Sequence, residues 1–178
     1  MTLTIPHVPL LTAKRATELY GVPDGNPHGA WAKEHIVYCG GDGKAELPAM
    51  PGVPPHLWFA IHRRAEPKIR AAYTTAQKAC PTYVVQSAGC WVYRHMQHDP
   101  NKPLSIHSWA GAVDTDAPTN RLILRTIEPY SAEWLREYPH GLPQAWIEGF
   151  LSVGGLDWGG AWHGLCDPQH VSVYDPEG

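Results

Sequence analysis

The chain has 178 residues, 14 Lys plus Arg against 17 Asp plus Glu, and a formal charge of −3. Its 43% hydrophobic residues and eight Trp exclude a disordered chain, and the acidic balance argues against a nucleic-acid-binding module, whose footprint is basic. The 17 Gly and 18 Pro point to one globular unit with long loops, and the eleven His are an excess of the residue type that most often ligates metals and moves protons.

At the N-terminus, basic residues follow rather than precede a Pro-broken apolar stretch, so no secretory signal is expected over Met1 to Arg15. No run approaches the ~18 apolar residues of a membrane span. Thr12 to Tyr20 predicts a short helix, with Thr12 as N-cap and Gly21 just past its end. Glu34 to Tyr38 and His56 to His62 read as strands. A helix is predicted from Glu66, because Pro67 suits its first turn and Ile69, Ala72, Tyr73, Ala76 and Ala79 share one face. Pro81 ends it. Thr82 to Ser87 (T-Y-V-V-Q-S) is the clearest strand pattern, followed by a connection to Asn101. Ser105 to His107 and Gly111 to Asp114 read as extended pieces around a turn at Gly111. A helix is expected over Pro143 to Leu151, a glycine-aromatic loop over 154–162, and a last strand over His170 to Tyr174. The fold class is therefore α+β: a small antiparallel sheet flanked by helices in a single domain over 1–178. The motif-bearing core spans about 66–174, after a lead-in over 1–65.

Cys39, Cys80, Cys90 and Cys166 lack C-x-x-C spacing and read as buried free thiols of a protein made in the cytoplasm. Chemistry concentrates instead in S-I-H-S-W-A-G-A-V-D (105–114) and W-H-G-L-C-D-P-Q-H (162–170). Together these segments offer His107, Asp114 and His170. Two imidazoles and a carboxylate with an open fourth position suit a catalytic zinc, whereas structural zinc usually closes that position with Cys. In extended backbone Ser105 and His107 would share a face, as would Ala112 and Asp114. Spacing by itself does not single this set out, since eleven His supply many pairs.

The first segment, followed downstream by W-G-G-x-W-x4-D-x-x-H (158–170), resembles the zinc D-Ala-D-Ala carboxypeptidase and L-alanyl-D-glutamate endopeptidase family of cell-wall peptidases. The phage-lysin-like branch is most similar, and the resemblance covers about residues 66 to 174. It implies one Zn²⁺ held by His107, Asp114 and His170, with Asp167 as the catalytic carboxylate. It also implies Arg94 as the group that holds a substrate carbonyl or carboxylate. Gln169, Val171 and an insertion-like segment over Arg121 to His140 depart from the family pattern.

The implied chemistry is hydrolysis of the peptide stem of bacterial peptidoglycan. Asp167 would act as general base then acid, and Arg94 would stabilise the oxyanion. Ser105 is a candidate for orienting a ligand. His163, Trp109 and Trp162 are candidates for the substrate wall, with packing as the plainer reading of both Trp. A thiol nucleophile at Cys166 lacks a supporting motif. The expected activity is a phage or prophage endolysin-type endopeptidase, acting on the wall after release from the cytoplasm or carried in a virion. The alternatives are a D-Ala-D-Ala carboxypeptidase and a non-catalytic wall-binding or virion structural module. A monomer is favoured, with no nucleic-acid partner.

Overall fold

A computed structural model describes residues 11–40 and 46–177. Helix α1 (Ala13–Tyr20) begins where the Thr12 hydroxyl accepts the Arg15 N–H at 3.2 Å, and it stops at Gly21, whose φ of 78° favours glycine. Helix α2 (Ala30–His35) leads into strand β1 (Ile36–Gly40), so the expected strand starts two residues late, after a helical turn. β1 pairs antiparallel with β2 (Trp58–His62) in a two-stranded sheet. Residues 1–10, most of the stretch in which no secretory signal is expected, lie outside the described residues; among those described, no helix is long and apolar enough to cross a membrane.

Helix α3 (Glu66–Ala79) carries Pro67 in its first turn and buries Ile69, Ala72, Tyr73 and Ala76. It packs on α5 (Gln144–Leu151) through Gly149, where a β-carbon would stand 2.8 Å from both the Ala79 β-carbon and the Thr75 carbonyl oxygen. That approach lets Tyr73 meet Phe150 edge-on, with ring centroids 5.1 Å apart, while its hydroxyl bonds Thr115 Oγ1 at 2.7 Å. Each fully buried aromatic of this kind contributes roughly 1.5–3 kcal/mol through its removal from water. The Tyr73 hydroxyl bond ties the helix pair to Thr115 of the second sheet.

That sheet is four-stranded and antiparallel, in the order β3-β4-β6-β5. Its strands are β3 (Ala88–Gly89), β4 (Ala112–Thr115), β5 (Leu156–Trp158) and β6 (His170–Val173). Helix α4 (Ala132–Glu137) lies in the segment read from sequence only as an insertion, capped by the Ser131 hydroxyl at Trp134 N–H. The architecture is thus the expected α+β class, with three local corrections.

Thr82 to Ser87 is not a strand. Its Gln86 and Ser87 N–H groups donate to the Asp116 carboxylate at 2.7 and 2.6 Å, and Val85 N–H to Gly52 O. A buried side chain has taken the place of a neighbouring strand. Ser105 to His107 is not extended either, because Ile106–Trp109 forms a 3-10 turn. Finally, the 154–162 loop contains β5 and a 3-10 turn over Gly159–Ala161.

His62, on β2, is 1% exposed, and its Nδ1 accepts the Arg64 N–H at 3.1 Å. Burial, reinforced by the His35 ring stacked 5.2 Å away, pushes its pKa from 6.5 down to about 4. The unfolded chain binds this proton more readily, so the stability present above pH 6.5 is lost as pH falls toward 4. The loss amounts to about 3 kcal/mol. His62→Gln should flatten that part of the acid dependence. Urea unfolding at pH 7 and 4.5 checks it, and identical pH losses in parent and variant would refute it.

Candidate metal centre

β4 and β6 bring two donors face to face, since Asp114 and His170 are direct partners in the antiparallel register. The third comes from the 3-10 turn, which Ser108 N–H to Ser105 O closes at 2.8 Å. The turn is completed by Ala110, not by Gly111 as the sequence suggests: Ala110 has φ 53°, in the left-handed region. Its carbonyl accepts His62 N–H at 3.0 Å. Gly111 is needed for space, because a β-carbon there would stand 2.7 Å from the Tyr20 ring.

Tyr20 also donates its hydroxyl to Val173 O at 2.9 Å, and Trp109 donates its indole N–H to Gly21 O at 2.8 Å. The end of α1 thereby ties the two donor-bearing segments together. Trp109, at 3% exposure, is a core strut rather than part of an open substrate wall.

Three atoms converge. His107 Nε2 and His170 Nδ1 are 3.1 Å apart, and Asp114 Oδ1 is 3.2 Å from the first and 3.1 Å from the second. Tetrahedral zinc with bonds of about 2.0–2.1 Å would space its ligands about 3.3 Å apart, so this donor set fits the ion in both chemistry and spacing. His107 and His170 are buried, while the Asp114 side chain keeps 24% exposure and leaves the centre open to solvent on its side. Among the described residues this trio is the group of His, Cys, Asp and Glu able to hold a metal.

Both imidazoles are anchored on their far nitrogens. His107 Nδ1 meets Cys90 O at 2.6 Å, and His170 Nε2 meets Ser172 Oγ at 2.8 Å. Burial works against the charge of Asp114, but hydrogen bonds from both His hold its carboxyl well below the usual range. Burial also opposes a charged His170, yet the Asp114 carboxylate outweighs it and raises the pKa.

Asp167 precedes β6 and is fixed by its own main chain: its N–H donates to Gly159 O at 2.9 Å and its carbonyl accepts His170 N–H at 3.0 Å. A β-carbon at Gly159 would come within 2.5 Å of the Asp167 carbonyl, so this crossing requires glycine. Burial raises the Asp167 pKa, while nearby His170 and a bond from Gln169 oppose the rise. Asp167 is not one of the three convergent donors.

Arg94 is half-buried, and its main chain is stitched to the His107 turn. Its N–H donates to Ser108 Oγ at 3.0 Å, and its carbonyl accepts from Ser108 Oγ and Ser105 N at 2.9 Å each. The hydroxyls bonded around the centre are thus Ser108 and Ser172, whereas Ser105 contributes its backbone. Trp162 stands with its ring 5.2 Å from His170, held by Asp157 Oδ1 at 2.9 Å, and His163 is exposed beside it. Cys166 is buried between Tyr138 and Gly160, and burial pushes its thiol up to about 11, which disfavours a nucleophilic thiolate. Ser172 was legible in principle, because residues i and i+2 on a strand share a face. Cys90 acts through its carbonyl and leaves no side-chain signal.

The model of a family described as D-alanyl-D-alanine carboxypeptidase matches residues 98–173. No curated protein and no solved structure matches the chain. The matched stretch holds His107, Asp114, Asp167 and His170, and leaves Arg94 and α1 outside it. It supports the zinc D-Ala-D-Ala carboxypeptidase family, and with it a zinc metallopeptidase that acts on peptidoglycan.

Proposed function

We propose that the chain is a single catalytic domain of the phage-lysin type that hydrolyses an internal bond of the peptidoglycan stem. The observation that carries this reading is the convergence of His107 Nε2, Asp114 Oδ1 and His170 Nδ1 inside the family-matched stretch. The bonds of Tyr20 to Val173 and of Trp109 to Gly21 support reading the described part of the lead-in as one unit with the core (66–174).

A zinc ion held by His107, Asp114 and His170 would supply Lewis acidity for the hydrolysis. Asp167 would take a proton from the attacking water and pass it to the leaving amine; its raised pKa suits a group that must both accept and donate. Arg94, permanently charged, offsets the developing oxyanion or grips a substrate carboxylate. Trp162 and His163 border the approach to His170.

The description of the matched family favours a second reading, a D-Ala-D-Ala carboxypeptidase that trims the terminal residue. Product masses from purified protein and defined stem peptides separate the two. An internal cut supports the endopeptidase and free D-Ala the carboxypeptidase. Intact stems with zinc bound would overturn both in favour of a non-catalytic wall-binding or virion module.

A further inference from the structure

The two imidazoles of the centre are anchored by chemically different groups. His107 Nδ1 faces a main-chain carbonyl, that of Cys90, at 2.6 Å. A carbonyl only accepts, so the neutral His107 ring, the form that can face a metal, carries its proton on Nδ1 and presents a lone pair at Nε2. His170 Nε2 faces a hydroxyl, Ser172 Oγ, at 2.8 Å, and a hydroxyl can accept or donate. At the other side of the same ring, Nδ1 lies 3.1 Å from Asp114 Oδ1, an acceptor that invites the proton to Nδ1. A proton there would block the atom that must face a metal.

We propose that Ser172 is the positioning residue of this centre: its hydroxyl accepts the His170 Nε2–H and so leaves Nδ1 open whenever a metal is held. This rests on the reading of His170 as a ligand. Ser172 is well placed for the role. It is 1% exposed, shares a strand face with His170, and lies between Ala112 of β4 and Asp157 of β5 in the ladder. Its backbone is therefore fixed while the hydroxyl remains free to rotate.

Without the hydroxyl, metal-free His170 can place its proton on Nδ1 against Asp114 and leave Nε2 bare. Holding a metal would force a buried N–H at Nε2 without a partner. The penalty thus falls on the loaded state, and affinity drops while the fold persists.

The test uses the full chain and Zn²⁺ alone. Ser172→Ala is expected to weaken zinc binding about 10–100-fold in competition with a chelator. Its zinc-free melting temperature should stay near that of the parent. Ser172→Thr, which restores a hydroxyl, should recover most of the affinity. Imidazole ¹⁵N shifts of the zinc-loaded parent should place the His170 proton on Nε2, a readout that stands even if the Ala variant fails to fold. Parent-like zinc affinity in Ser172→Ala, or a proton on Nδ1 in the loaded parent, would overturn the assignment of Ser172. A parent that binds no zinc would instead overturn the metal centre itself.

Discussion

Replacing Asp167 by Asn is expected to leave zinc bound while peptide cleavage falls by about a hundred- to ten-thousand-fold, the span usual for a positioned acid–base group. Replacing His107 by Ala is expected to remove both zinc and activity. The contrast follows from position. His107 Nε2 is one of three mutually adjacent donor atoms, whereas Asp167 lies outside that trio and accepts the His170 N–H on its carbonyl. The amide of Asn keeps the shape and the bond from Gln169 but takes up no proton. Metal content and cleavage of a stem peptide, measured on the same preparations, check the pair. An Asp167→Asn protein that cleaves at nearly the parental rate would remove Asp167 from the mechanism.

The second large effect is on stability. Asp116 is 3% exposed and has φ 50°, a left-handed conformation that Asp tolerates better than most residues. Its carboxylate accepts the N–H groups of Gln86 and Ser87 and the hydroxyl of Tyr83. Its own N–H donates to Ser87 O, one residue before β3 pairs with the Asp114 strand. Asp116→Ala strands two part-buried N–H groups and a half-buried phenol, and should cost about 2–3 kcal/mol. Asp116→Asn keeps an acceptor for the two N–H groups and should cost distinctly less. Denaturant unfolding of both variants checks this; equal losses would show that the fan of hydrogen bonds does not carry the effect.

Asp116 also accounts for the difference between the strand expected over Thr82 to Ser87 and the structure. Val84 and Val85 give Thr82 to Ser87 a strand's composition, yet what fills its hydrogen bonds is a side chain thirty residues away, which no local pattern encodes. The 3-10 turn at Ile106–Trp109 was missed for a related reason. Its left-handed residue is an alanine stabilised by contacts with β2, while the neighbouring glycine answers to Tyr20. Helices α1, α3 and α5 were legible because caps, proline position and apolar spacing act within one or two turns.

For the centre itself, the sequence named His107, Asp114 and His170 through the resemblance of two motifs, and composition alone had offered only an excess of histidine. The antiparallel register sets Asp114 against His170, and the turn beneath α1 adds His107. Which nitrogen of each ring faces inward was decided by tertiary structure alone. That choice belongs to the partner on the far side of the ring, the Cys90 carbonyl for one and the Ser172 hydroxyl for the other. A linear sequence states which side chains can bind a metal. The direction in which each presents its lone pair is fixed only when strand and turn bring those partners into place.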